Sequence, residues 1–90
     1  MNARSGTLSA VDFGQFVESE LSKSSDFLRV AVNDRSAGNV TAAGREELAA
    51  HRAYHEALYL FTLLRSRISG ARTRRLAFRI REIERAMQGV

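Results

Sequence analysis

Not one of the 90 residues is proline, so nothing in the backbone forbids a helix anywhere along the chain. What the chain does with that freedom is set by the spacing of its apolar residues. Phe13, Phe16, Val17, Leu21, Phe27, Leu28, Ala31 and Val32 stay on one face at about 3.6 residues per turn. Ser9 stands as a helix cap with Asp12 behind it, and Leu8 and Phe13 have the spacing of a hydrophobic staple. A first helix is therefore predicted over about residues 10–33, after a flexible lead at residues 1–8. Its weak point is Ser22-Lys23-Ser24-Ser25, because serine favours caps over helix interiors. Ser24 falls on the apolar face, and the apolar phase continues through it, which favours one helix over two.

Residues 34–40 carry turn residues and no apolar period, which predicts a reversal between antiparallel helices. A second helix is expected over about residues 42–69, capped by Thr41 and stopped by Gly70. Tyr54, Ala57, Phe61, Leu64 and Ile68 step along it as a heptad seam. Leu58, Leu60 and Leu63 widen the apolar surface nearly all round, and a helix apolar on every side is normally buried on every side. A third helix is expected over about residues 71–88, with Leu76, Ile80, Ile83, Met87 and Val90 as a second seam.

The fold class that follows is all-α. It is a single domain and a small bundle of about three helices, two long and antiparallel and one arginine-rich at the C-terminal end. The middle helix carries more apolar surface than two neighbours can cover. The pattern therefore predicts an oligomer, with Tyr54, Leu58, Phe61, Leu64, Ile68, Leu76, Ile80, Ile83 and Met87 as the interface.

Charge is uneven. Residues 1–44 hold four basic and five acidic side chains, net −1, whereas residues 45–90 hold ten arginines and five glutamates, net +5. Between Arg65 and Arg81 lie seven arginines and no acid: Arg65, Arg67, Arg72, Arg74, Arg75, Arg79 and Arg81. Such a run suits an anionic partner, and arginines crowding the start of a third helix oppose its dipole unless an anion compensates.

Three functional readings follow. The leading one is a non-enzymatic protein–protein interaction module, an adaptor, regulator or inhibitor that binds itself or another protein. The alternative is a nucleic-acid-associated protein contacting phosphates through the seven arginines. The third is a metal-binding helical protein using Glu47, His51 and His55, which fall on one helical face with the two histidines at i and i+4. No catalytic residue, cofactor or small-molecule substrate is implied: no nucleophile motif is legible, and the chain has no cysteine. The longest apolar run, eight residues from Ala57, is too short for a bilayer, no leader is legible, and the location expected is cytoplasmic.

Overall fold

The computed structural model describes residues 10–88, with side-chain environments from residue 13 onward. Over that span the chain forms α1 (Ala10–Ser36), α2 (Val40–Leu64), a short 3₁₀ turn (Arg65–Arg67) and α3 (Gly70–Gln88), with no strand among the described residues. The predicted cap at Ser9, its staple with Leu8, the N-terminal lead and Val90 lie outside the described residues.

The first helix is continuous through its serines. Ser24 is fully buried and its hydroxyl donates to the carbonyl of Ala50, 2.9 Å away on α2. The partner that satisfies this polar group is 26 residues distant, and it is in reach because the facing side of α2 is built from alanine. Ala43, Ala50, Ala53 and Ala57 are all buried, and small side chains at a contact let two helix axes approach closely. Volume, rather than polarity, should therefore limit position 24. Ser24→Ala removes a hydrogen bond worth about 1 kcal/mol net but gains up to about 0.5 kcal/mol of helix propensity, so urea denaturation should show little change. Ser24→Leu should cost about 1–3 kcal/mol by overpacking; a neutral leucine would show that the helices do not meet closely there.

The reversal is shorter than expected. α1 runs to Ser36 because its C-terminus is closed by a Schellman motif. The Gly38 N–H donates to Arg35 O at 3.1 Å and the Asn39 N–H to Asp34 O at 2.8 Å. Gly38 takes φ +88° to make that turn, a value open to glycine at little cost. α2 then starts at Val40 with Asn39 as the residue before it, so Thr41 lies inside the helix rather than capping it.

The junction between α2 and α3 also differs from expectation. α2 ends at Leu64 rather than at 69, and Ile68 is extended, with φ −112° and ψ 141°. That kink turns the buried Ile68 side chain into the core. Ser69 then caps α3: its hydroxyl accepts from the Arg72 N–H at 3.3 Å and its carbonyl from the Thr73 N–H at 2.8 Å. Gly70 is the first residue of a helix, not the stop of one.

Packing assigns the apolar seams. Val17, Leu21 and Leu28 of α1 meet Ala50, Tyr54, Ala57 and Phe61 of α2, together with Ile68 and with Leu76, Ile80 and Ile83 of α3. Most of the residues expected at an oligomer interface take part in this packing. Tyr54, Phe61, Ile68, Leu76, Ile80 and Ile83 are buried in the chain's own core, and Leu58, Leu64 and Met87 are half-buried, with Leu58 and Met87 packed on that core. Six of the nine are thus engaged within the protomer, and the other three keep part of their surface open. α2 is not covered all round, however. Tyr59 and Leu63 stand 63% and 59% exposed on its outer side. The molecule is long and thin, 50 × 30 × 15 Å across its Cα atoms, with a radius of gyration of 15.2 Å, against roughly 12 Å for a rounded domain of this length. Among the described residues no helix is long and apolar enough to cross a membrane.

Candidate functional site

The fold sorts the arginines that look alike in the sequence. Arg72 faces inward. Its guanidinium lies 3.5 Å from the Glu18 carboxylate of α1, and its stem rests on Gly14, where an added Cβ would come within 2.3 Å of Arg72 Cδ. Arg72 therefore clamps α3 to α1 and leaves the predicted anion set. Arg79 is half-buried in the groove between the same two helices, beside Leu28 and Glu82.

The rest point to solvent. Arg65 and Arg67 sit on the 3₁₀ turn with their guanidiniums 5.7 Å from the Phe61 ring and 5.9 Å from the Phe13 ring. A cation over an aromatic face is attracted to it, so these two are steadied while remaining exposed. Arg74 lies over the first turn of α3, its Nη1 3.8 Å from the place a Gly70 Cβ would occupy. With Arg65 and the hydroxyl-bearing Thr62, Ser66 and Thr73 it lines a concavity at the α2–α3 junction.

Further along α3, Arg74, Phe78, Arg81 and Arg85 recur at i, i+4, i+7 and i+11 and are all exposed. These offsets place them in one stripe about 17 Å long. Arg75 flanks it. Phe78 and Arg85 are missing from the sequence-predicted set. Reading the arginine run as a linear cluster ends it at Glu82, whereas helical spacing carries the stripe past that residue.

Of the arginines whose side chains are described, only Arg29, Arg35 and Arg72 form ion pairs with described carboxylates. α3 has no acid in its own first turn, and although Glu18 of α1 pairs with Arg72, Arg74 and Arg75 leave the positive end of its dipole facing positive charge. The opposite end of the hairpin is different. There the neighbouring Asp34 carboxyl, together with burial, raises the Glu46 pKa above the ordinary carboxylate value, and Glu47 pairs with Arg35. Acids and arginines are thus mixed at the α1–α2 turn, whereas the α2–α3 junction and α3 are basic.

The predicted metal trio is not brought together as a ligand set. Glu47 is held by Arg35. The His51 and His55 rings, both exposed, lie 6.3 Å apart between centroids, with His55 edge-on to Tyr54. No group of three His, Cys, Asp or Glu side chains suited to a metal ion occurs among the described residues.

Fold and surface together define a small three-helix protein with an arginine stripe on its C-terminal helix. No protein-family model matches the chain, and none of the curated proteins or solved structures is significantly similar to it.

Proposed function

We propose that this chain is a non-enzymatic binding module that holds a nucleic acid by its phosphates, through Arg65, Arg67, Arg74, Arg75, Arg81 and Arg85. The observation that carries the reading is the α3 stripe. Guanidiniums without ion-pair partners among the described residues repeat along one helix face for about 17 Å. That matches roughly five nucleotides at about 3.4 Å per nucleotide of a stacked strand. Arginine forks onto phosphate oxygens bidentately, and an anion on this face would also relieve the uncompensated start of α3.

Salt sets the test. Six phosphate contacts should cost roughly 300- to 2,000-fold in affinity for random-sequence oligonucleotides between 50 and 200 mM salt. The triple substitution Arg74→Gln, Arg81→Gln, Arg85→Gln should flatten that dependence toward the three remaining contacts. Absence of binding by the wild type at 50 mM salt would overturn the reading, since non-specific affinity is greatest there.

A second reading, a protein-docking module, is favoured by the outer face of α2, where Leu48, Tyr59 and Leu63 stand 53%, 63% and 59% exposed. His51, Arg52, His55 and Glu56 interrupt that face, so it lacks the contiguous apolar patch that marks a strong docking site. The same titration separates the two, because apolar docking does not collapse as salt rises.

A further inference from the structure

Resting on the phosphate reading, we infer that the nucleic acid is single-stranded and that one of its bases stacks on Phe78. Phe78 is 58% exposed on a helix whose core positions are already filled by Leu76, Ile80 and Ile83. It therefore contributes little to the chain's own packing. It lies in the arginine stripe, one turn after Arg74 and one turn before Arg81, and it shares a groove with Arg75, Ala71 and Glu82. Ala71 and Arg74 are the residues at i−7 and i−4 from Phe78. The small side chain at 71 leaves open space over that side of the ring.

An aromatic ring set among arginines is the arrangement that binds an unpaired strand: the cations take phosphates and the ring takes the face of a base. Charge gives the strand its orientation. Glu82, at i+4 from Phe78, flanks the stripe, so it repels phosphate and can accept hydrogen bonds from the amino group of a base. The backbone is thereby directed over Arg74, Arg81 and Arg85, and the bases over Phe78 and Glu82. A duplex does not satisfy this arrangement, because its base faces are covered by their neighbours and only its edges and phosphates are exposed. Duplex would use the arginines and leave Phe78 idle.

The experiment compares four ligands at 100 mM salt: a ten-nucleotide mixed-sequence DNA strand, a duplex with the same number of phosphates, an abasic strand of the same length, and an acidic peptide of equal charge. Each is titrated against the wild type, Phe78→Ala and Phe78→Trp, with circular dichroism confirming the helix content of each variant. Phe78→Ala should weaken the normal strand about 5- to 150-fold, the range for loss of one stacked base, and should leave duplex affinity within about two-fold. The abasic strand should bind the wild type as weakly as the normal strand binds Phe78→Ala. Phe78→Trp should keep the affinity and show fluorescence quenching on the normal strand but not on the abasic one.

If Phe78→Ala leaves the normal strand unaffected, or weakens strand and duplex alike, stacking is overturned and the phosphate reading survives. If the wild type binds none of the nucleic acids even at 50 mM salt, both readings fall. If the acidic peptide competes as well as the strand and is equally indifferent to Phe78→Ala, the surface is a general acidic-partner site and the inference fails.

Discussion

Leu76→Ala is expected to destabilise the protein by about 3–5 kcal/mol, the upper part of the range for emptying a fully buried leucine site. Leu76 has no exposed surface and lies at the centre of the face that α3 turns inward. The surroundings have little means of collapsing into the gap. Ile80 and Ile83 are already buried on the same face, and Arg72, one turn earlier, is pinned between Gly14 and Glu18. For a domain of this length the loss corresponds to a fall in Tm of about 12–40 °C, out of a total stability of about 5–13 kcal/mol. Thermal melts followed by circular dichroism at 222 nm measure it. Phe78→Ala, two residues along but on the outer side, should stay within about 0.5 kcal/mol of wild type. A Leu76→Ala protein that melts within a few degrees of wild type would mean that α3 is not seated on the core as described.

This substitution also bears on function. On the proposed phosphate reading the arginines of the stripe act as a rigid row, and the row exists only while α3 is folded against α1. Leu76→Ala should therefore reduce oligonucleotide affinity at temperatures where the hairpin of α1 and α2 persists, although residue 76 touches no ligand. Phe78→Ala acts in reverse, sparing the fold and removing the proposed stacking contact. The pair separates scaffold from surface on a single helix.

Much of this scaffold is legible in the sequence, for definite reasons. Helix periodicity shows in α1, where Val17, Leu21, Leu28 and Ala31 form the buried stripe while Phe16, Phe27 and Val32 of the predicted face are exposed, and in Leu76–Met87 of α3. Which helix covers which stripe is not a local property. The seam from Tyr54 to Ile68 looks like excess apolar surface until it is known to share one core with α1 and α3, and the return of α3 depends on a break at residues 65–69. The break is hidden because Ile68 is apolar and in phase whether the chain there is helical or extended. Gly70 is misleading in the same place: glycine commonly follows a helix, but here Ser69 has already capped the next one. Ser24 stands out as an anomaly on an apolar face, and its explanation, the carbonyl of Ala50, lies on another helix. The arginines show the same limit. Composition displays a run of seven between Arg65 and Arg81, and only the packing of Gly14 and Glu18 distinguishes Arg72, which clamps, from Arg74, which faces outward. The spacing from Arg74 through Phe78 to Arg85 is present in the sequence, and it becomes a surface once the inward face of α3 is fixed by Leu76, Ile80 and Ile83.

The stability of the protein is also expected to fall steeply at alkaline pH, through Tyr54. This side chain is 5% exposed, its ring belongs to the core, and its hydroxyl donates to the Glu84 carboxylate on α3. Burial first, then the hydrogen bond and the negative charge of Glu84, hold the phenol protonated and push its pKa up to about 12 from an ordinary 10. In the unfolded chain the phenol ionises near pH 10, while in the folded chain it keeps its proton until about pH 12. Between those values the unfolded state binds fewer protons, so stability decreases as pH rises. The contribution is fully present below pH 10 and is lost as the pH passes through the folded value, a change of roughly 2–3 kcal/mol at about 1.4 kcal/mol per pH unit. Tyr54→Phe abolishes this dependence. At neutral pH it should cost only about 1 kcal/mol, the worth of the lost hydrogen bond, because Glu84 is exposed and water can take its place. Urea denaturation at half-unit intervals from pH 8 to pH 12 gives both curves. The wild-type and Tyr54→Phe curves should converge as the pH rises and then cross, so that above about pH 11 the phenylalanine variant is the more stable protein. Parallel curves across that interval would show that the Tyr54 hydroxyl is not held in the folded state by Glu84 and by burial, and the contact that ties α2 to α3 would have to be discarded.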